Sequence, residues 1–179
     1  MPQAVTHILF PLILMALFRN FYLSKNKKRS FPLYYVFIAG LGGIISDLDI
    51  AVFYLLYFFG FTFSEVHKTY THSLIFPLIL FILSISLRPL KKNFTRHKLK
   101  LNIIFLMLSL GVLSHIFLDN LLGKPFAIFY PLSNLTFSLD LVSYLPLALQ
   151  SSAIACLDAA LLIIWLLYLE IKHKLSDVI

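Results

Sequence analysis

The sequence predicts an all-α membrane protein, a multi-pass helical bundle of about five transmembrane helices in which the second helix is broken. Hydrophobic residues make up 60% of the chain, and the mean hydropathy is +0.89. Only 13% of the residues are charged, against about 25% in a soluble domain. The apolar runs do not alternate with polar residues, which disfavours a membrane β-barrel. The single cysteine, Cys156, excludes a disulfide framework and a cysteine zinc cluster.

The first two apolar runs differ in length. The run from about His7 to Leu23 has no basic segment or small-residue cleavage site typical of a signal peptide, so it is expected to be retained as a helix. The run from Phe31 to Phe63 is longer than the roughly 20 residues of one span. Its glycines and the acidic pair Asp47 and Asp49 predict that a helix ends near Ser46. The apolar piece Ile50–Phe59 that follows is too short to cross again.

Three further runs complete the predicted bundle. Ser73 to about Leu87 is short, but it spans if Arg88 and the following lysines reach the membrane interface. Leu101–Gly123 is long enough to cross, and a fifth helix lies within Val142–Leu169. We therefore expect one integral membrane domain over residues 1–179, with its polar core within about 6–131 and an additional C-terminal transmembrane helix at about 142–169.

The basic residues predict the orientation in the membrane. Of 15 Lys and Arg residues, five lie in Arg19–Arg29, six in Arg88–Lys100 and two at Lys172 and Lys174. These clusters follow the first, third and fifth spans, so the positive-inside rule puts all three in the cytoplasm. The N-terminus is then outside and the C-terminus cytoplasmic, in a plasma or inner membrane. The membrane topology therefore explains the net charge of +7. We expect membrane lipids as partners and do not expect nucleic acid.

Several histidines and aspartates lie inside or near the ends of the spans. An ionisable residue in a span costs about 2.5–3.5 kcal/mol and usually marks function. Six of these residues lie 15–20 positions from a basic end, which is roughly 23–30 Å if each stretch is helical. They are His7, Asp47, Asp49, His72, His115 and Asp119, and His67 precedes His72 by five positions. Four segments therefore bring imidazoles and carboxylates to one layer near the outer face of the bilayer.

This pattern favours a divalent metal ion. His115 and Asp119 are four positions apart and so share a helical face. Neutral imidazoles and carboxylates suit Zn²⁺ or another divalent ion, and an ion would neutralise the clustered carboxylates. An interhelical hydrogen-bond network is the alternative. Asp47 and Asp49 would point about 200° apart on an unbroken helix, so either the helix breaks or only one of them is a ligand.

Two other charged residues allow two interpretations each. Lys68, beside His67, is either an anion-binding group or a solvated lysine. Asp158 stands among small residues, which indicates close helix packing. For Asp158 we favour a structural hydrogen bond over a metal-ligand role.

An ordered series of motifs resembles the YdjM-like family of predicted membrane-bound metal-dependent hydrolases. The resemblance covers Thr6 to about Pro131. The motifs are Thr6-His7, Asp47-Leu48-Asp49, His67-Lys68-x-x-Thr71-His72-Ser73, His115-x-x-x-Asp119 and Tyr130-Pro131. Lys68 stands where the family usually has arginine, Thr69-Tyr70 replaces a glycine and its neighbour, and Ser46 stands where proline is usual. The family is distantly similar to zinc-dependent phospholipase C and P1 nuclease, which implies hydrolysis of a phosphate ester.

The expected function is a metal-dependent hydrolase acting on a phospholipid or lipid-linked phosphate at the outer headgroup layer. Seven candidate ligands exceed the four of one tetrahedral zinc, so two ions, or one ion with hydrogen-bonded partners, would use them. Asp47 and Asp49 are the catalytic candidates, because an aspartate that is not a ligand can orient water or act as a base. A structural metal site or a small metal-ion transporter is the alternative. A transporter site usually lies near the midplane between repeats, and no repeat is visible.

The predicted topology can be tested by cysteine labelling. Because Lys27 and Asn93 lie in basic segments assigned to the cytoplasm, cysteines introduced there should be inaccessible to a membrane-impermeant reagent in intact cells. Labelling of either position from outside would contradict the orientation.

Overall fold

The computed structural model describes residues 4–89 and 99–174, which form a helical bundle with one short β-hairpin. The predicted all-α membrane bundle is confirmed. Much of the second basic cluster, together with Asn93, lies outside the described residues.

Seven α-helices follow one another along the described chain. They are α1 (Ala4–Lys25), α2 (Tyr34–Ile45), α3 (Leu48–Leu56), α4 (Phe63–Val66), α5 (Ile75–Ser86), α6 (Leu101–Leu122) and α7 (Leu147–His173). Short 3₁₀ turns cover Tyr57–Phe59 and Leu141–Tyr144. Strands β1 (Phe126–Ala127) and β2 (Thr136–Phe137) pair antiparallel.

Four ranges are long and apolar enough to cross a membrane. They are Ala4–Lys25, Tyr34–Phe59, Leu101–Leu122 and Leu147–His173. Helix α5 is apolar but has only 12 residues. The chain is therefore multi-pass, while the fifth crossing and the orientation stay predictions. Helix α7 extends past the predicted Leu169, and its last turn holds Lys172 and His173, which favour a helix C-terminus.

The second apolar run breaks at the acidic pair, as predicted. Helix α2 ends at Ile45 and α3 begins at Leu48. Hydrogen bonds from Asp47 N to Ile44 O (3.0 Å) and from Ile50 N to Asp47 O (3.1 Å) carry the backbone across the break, and this i→i+3 pattern is that of a 3₁₀ turn. Beyond the break the packing changes, since α2 contacts α1 and α6 whereas α3 contacts α4.

Glycines allow the three central helices to approach closely. A Cβ at Gly111 would lie 2.7 Å from the Cα of Gly42, and a Cβ at Gly42 would lie 2.6 Å from the carbonyl oxygen of Leu108. A Cβ at Gly43 would collide with the carbonyl oxygen of His7. Small residues at such interfaces are typical of membrane helices, and here they bring α1 and α6 against the broken end of α2.

Helix α7 is peripheral to this bundle. Among the described residues, Asp158 and Trp165 are its buried side chains, and it packs mainly on α1. The hydroxyl of Thr6 donates a hydrogen bond to Asp158 Oδ1, so the structural hydrogen bond favoured for Asp158 is present.

The hairpin lies over one end of the bundle. The amide of Leu74, just before α5, donates to the carbonyl oxygen of Ile128 (2.9 Å). Phe126 on β1 is buried with Val112 and Ile116 of α6. The hairpin therefore fixes an aromatic ring beside the segment that precedes α5.

Replacing Gly111 with alanine tests the close approach of α2 and α6. The added methyl would overlap the backbone of α2, so we expect a loss of about 1–3 kcal/mol in stability, measured as a lower melting temperature in detergent. Leu41→Ala, at a position 60% exposed, is the matched control on the neighbouring helix. An unchanged melting temperature for Gly111→Ala would contradict the packing described above.

Candidate metal centre

All seven predicted site residues meet in one cluster. His7 comes from α1, Asp47 from the break and Asp49 from the first turn of α3. His67 follows α4, His72 precedes α5, and both His115 and Asp119 lie on α6. Six of the seven are buried, and only the side chain of Asp47, 25% exposed, reaches the surface. The predicted convergence is therefore present in the fold.

Three ligand atoms form a nearly equilateral triangle. His72 Nε2 and His115 Nε2 are 3.1 Å apart, and Asp47 Oδ1 lies 3.5 Å from the first and 3.6 Å from the second. A tetrahedral zinc with bonds of 2.0–2.1 Å separates its ligand atoms by about 3.3–3.4 Å. The three atoms therefore have the spacing to bind one ion together.

The other ring nitrogens show which atoms are free to bind. His115 Nδ1 lies 2.7 Å from the carbonyl oxygen of Gly43, which can only accept, so this nitrogen carries the proton. His72 Nδ1 lies 3.2 Å from Asp49 Oδ2 and forms a 3.2 Å hydrogen bond with Thr71 Oγ1. Because the Thr71 hydroxyl donates its own proton to Asp49 Oδ2, both oxygens can only accept from His72, and Nδ1 carries the proton. Both Nε2 lone pairs then face each other, and a cation or a proton must lie between them. Metal-binding histidines are commonly oriented by such bonds from the second nitrogen.

A proton can bind His72 in place of a metal ion. This histidine lies in the loop before α5. Burial disfavours its charged form, but hydrogen bonds with Asp47 and Asp49 outweigh burial and raise the pKa of His72. The site therefore attracts positive charge, whether from a proton or from a metal ion.

Asp49 holds the loop between α4 and α5 in place. Its Oδ1 accepts from His67 Nδ1 (3.0 Å). Its Oδ2 accepts from the amide of Lys68 (3.0 Å) and the hydroxyl of Thr71 (2.9 Å), and it lies 3.2 Å from His72 Nδ1. Asp49, His67 and His72 also have metal-ligand spacing, but this carboxylate is already surrounded by donors.

Asp119 joins α1 to the same loop. Its Oδ1 lies 3.4 Å from His7 Nε2, and its Oδ2 lies 2.5 Å from Lys68 Nζ. The His7 ring stacks on the His115 ring with centroids 3.8 Å apart. His7, His115 and Asp119 form a further group with metal-ligand spacing.

The sequence did not predict that Lys68 contacts Asp119 or that Thr71 contacts Asp49. Lys68 is the partner of Asp119, and the solvated alternative is wrong because its side chain is 14% exposed. A signal was available, since Lys68 lies outside the three basic clusters. For Thr71 the available signal was its place in the motif His67–Ser73.

The loop and α3 enclose a cleft of about 290 Å³ beside the cluster. Asp49 and Thr71 form part of its wall, and Val52, Phe61 and Tyr70 supply apolar surface. The cluster is therefore next to an opening with a mixed polar and apolar lining.

The metal site can be tested by metal analysis of the purified protein. His115→Ala removes one corner of the triangle, so bound divalent metal should be lost. Asp49→Asn leaves the triangle but weakens the support of His72, and we expect affinity to fall about 10–100-fold. His173→Ala, an exposed histidine on α7, is the control. Full metal content in His115→Ala would contradict the site.

The comparisons with known proteins identify one family. The family described as YdjM inner membrane protein matches residues 1–174. No curated protein and no solved structure shows significant similarity to the chain. The distant similarity to zinc-dependent phospholipase C and P1 nuclease stays a prediction.

Proposed function

The chain belongs to the YdjM inner membrane protein family, and we propose that it is a membrane-embedded, metal-dependent hydrolase of phosphate esters. The observation that carries the proposal is the triangle of Asp47, His72 and His115, which has the spacing to hold a divalent ion such as Zn²⁺. The triangle takes three ligands and so leaves a coordination position for water or substrate, as in catalytic zinc sites.

Asp47, His72 and His115 would hold the ion, and the buried imidazoles keep it in one place. Such an ion acts as a Lewis acid and makes water nucleophilic near neutral pH. Asp47 faces the triangle with Oδ1 and is partly exposed, so its second oxygen can accept a proton from water. We therefore assign proton transfer to Asp47, and we assign the positioning of His67 and His72 to Asp49, whose oxygens are already occupied.

The membrane setting supports a lipid-linked substrate. An apolar groove of about 520 Å³ lies between α1 and α6. Its wall includes Leu14 and Phe117, together with Ser114 and Asn120, which are the sequence neighbours of His115 and Asp119. A phospholipid or lipid-linked phosphate could place its chain along this groove and its headgroup at the outer membrane surface, near the cluster.

The alternative is a structural metal site or a small metal-ion transporter. A structural site is closed by protein ligands on all sides. The Asp47 side chain is 25% exposed, and the cleft is lined by Asp49. Both features favour an open site over a closed structural one.

The proposed activity can be measured with the protein reconstituted in vesicles. We expect chelator-sensitive release of phosphate or a phosphorylated headgroup from at least one lipid of a panel of phospholipids and lipid-linked phosphates. Asp47→Asn should lower the rate of hydrolysis at least about 100-fold but retain part of the bound metal. His115→Ala should lose both the activity and the metal.

Asp140→Asn, at a carboxylate outside the cluster and just before the 3₁₀ turn Leu141–Tyr144, is the control for Asp47→Asn. A full panel without chelator-sensitive turnover, with metal tightly bound, would favour the structural site.

A further inference from the structure

The ammonium nitrogen of Lys68 is buried inside the cluster of histidines and carboxylates, although the side chain as a whole is 14% exposed. Its Nζ lies 2.5 Å from Asp119 Oδ2 and 5.0 Å from the centre of the Phe126 ring. A lysine is rarely buried without a charged partner, and Asp119 is that partner among the described residues. The ammonium group is thus part of the site rather than of the surface.

The backbone of Lys68 has an uncommon conformation that directs its side chain into the cluster. Lys68 has φ of 62°, in the left-handed region that residues other than glycine seldom adopt. In that conformation its amide donates to Asp49 while its side chain reaches Asp119 on α6. Residues held in such regions cluster at functional sites.

The charges in the cluster balance with a single metal ion. Asp47, Asp49 and Asp119 contribute three negative charges, and Lys68 contributes one positive charge. One divalent ion brings the sum to zero, whereas two ions would leave two positive charges. Because uncompensated buried charge is costly, the arrangement favours one metal ion. The ammonium group of Lys68 then supplies the positive charge that a second ion would otherwise supply.

We propose that Lys68 is the second cationic group of a one-ion centre and that its Nζ binds an anionic oxygen of the substrate. The inference rests on the proposed function and names the residue that selects an anionic substrate. Asp119 Oδ2 also lies 3.8 Å from His72 Nε2, so the same carboxylate borders both the ammonium group and the ion position. A phosphate oxygen that enters the open position of the ion would therefore come beside this ammonium group, and it can form a strong charge-assisted bond with Nζ.

The test uses the full chain in detergent, loaded with Zn²⁺, and measures two quantities that do not depend on turnover. Metal content should be one ion per chain in the wild type, Lys68→Met and Lys68→Arg. Calorimetric titration with inorganic phosphate should show affinity at least about 10-fold lower in Lys68→Met, because a charged hydrogen bond is lost. Lys68→Arg should retain binding, and Lys124→Met, at an exposed lysine just before β1, should match the wild type.

A second titration distinguishes a lipid phosphate from free phosphate. Short-chain phosphatidic acid should bind the wild type more tightly than inorganic phosphate if the lipid is the natural source, and the matching diacylglycerol should show no dependence on Lys68.

Unchanged phosphate affinity in Lys68→Met, or two ions bound to the wild type, would overturn the inference. Loss of metal in both Lys68 variants would assign the residue to the metal site instead. Absence of turnover with Lys68-dependent phosphate binding would reject the hydrolase but keep the anion site.

Discussion

The structure depends on two imidazole nitrogens that face each other across 3.1 Å, with a carboxylate oxygen of Asp47 completing the triangle. His72 and His115 both have their other nitrogen committed to a hydrogen bond. Their lone pairs therefore repel unless a cation or proton lies between them. Placing such a cluster in a chain that is 60% hydrophobic is costly, and a divalent ion would offset that cost. Lys68, which is turned inward, supplies positive charge to the same cluster.

The same residues that permit helix packing also build the cluster. Gly43 lets the backbone of α1 approach at His7, and its carbonyl oxygen fixes the ring of His115. The break after α2 turns Asp47 and Asp49 towards one interior, which an unbroken helix could not do. Stability and site geometry are therefore linked in α1, α2 and α6, and substitutions there should affect both.

The remaining elements support the cluster from outside. The hydrogen bond between Thr6 and Asp158 ties α7 to the turn of α1 that carries His7. The hairpin brings Phe126 against His72 and Lys68, with ring centroids 6.1 Å apart for the histidine. Both contacts restrict how the histidines on the bundle can move, although neither element supplies one of the seven clustered residues.

Hydropathy and helix periodicity are local properties, so the membrane class, the long helices, the break at the acidic pair and the set of residues that meet could be predicted from the sequence. The common depth of His7, His72 and His115 could also be counted along the chain. The roles within the set depend on contacts between segments that are far apart in the sequence. Asp47 and Asp49 look equivalent in sequence, yet one faces two imidazole nitrogens and the other accepts three hydrogen bonds from the loop before α5. The inward turn of Lys68 likewise depends on a left-handed backbone conformation and on Asp119, which lies 51 positions away along the chain, and no local pattern encodes that contact.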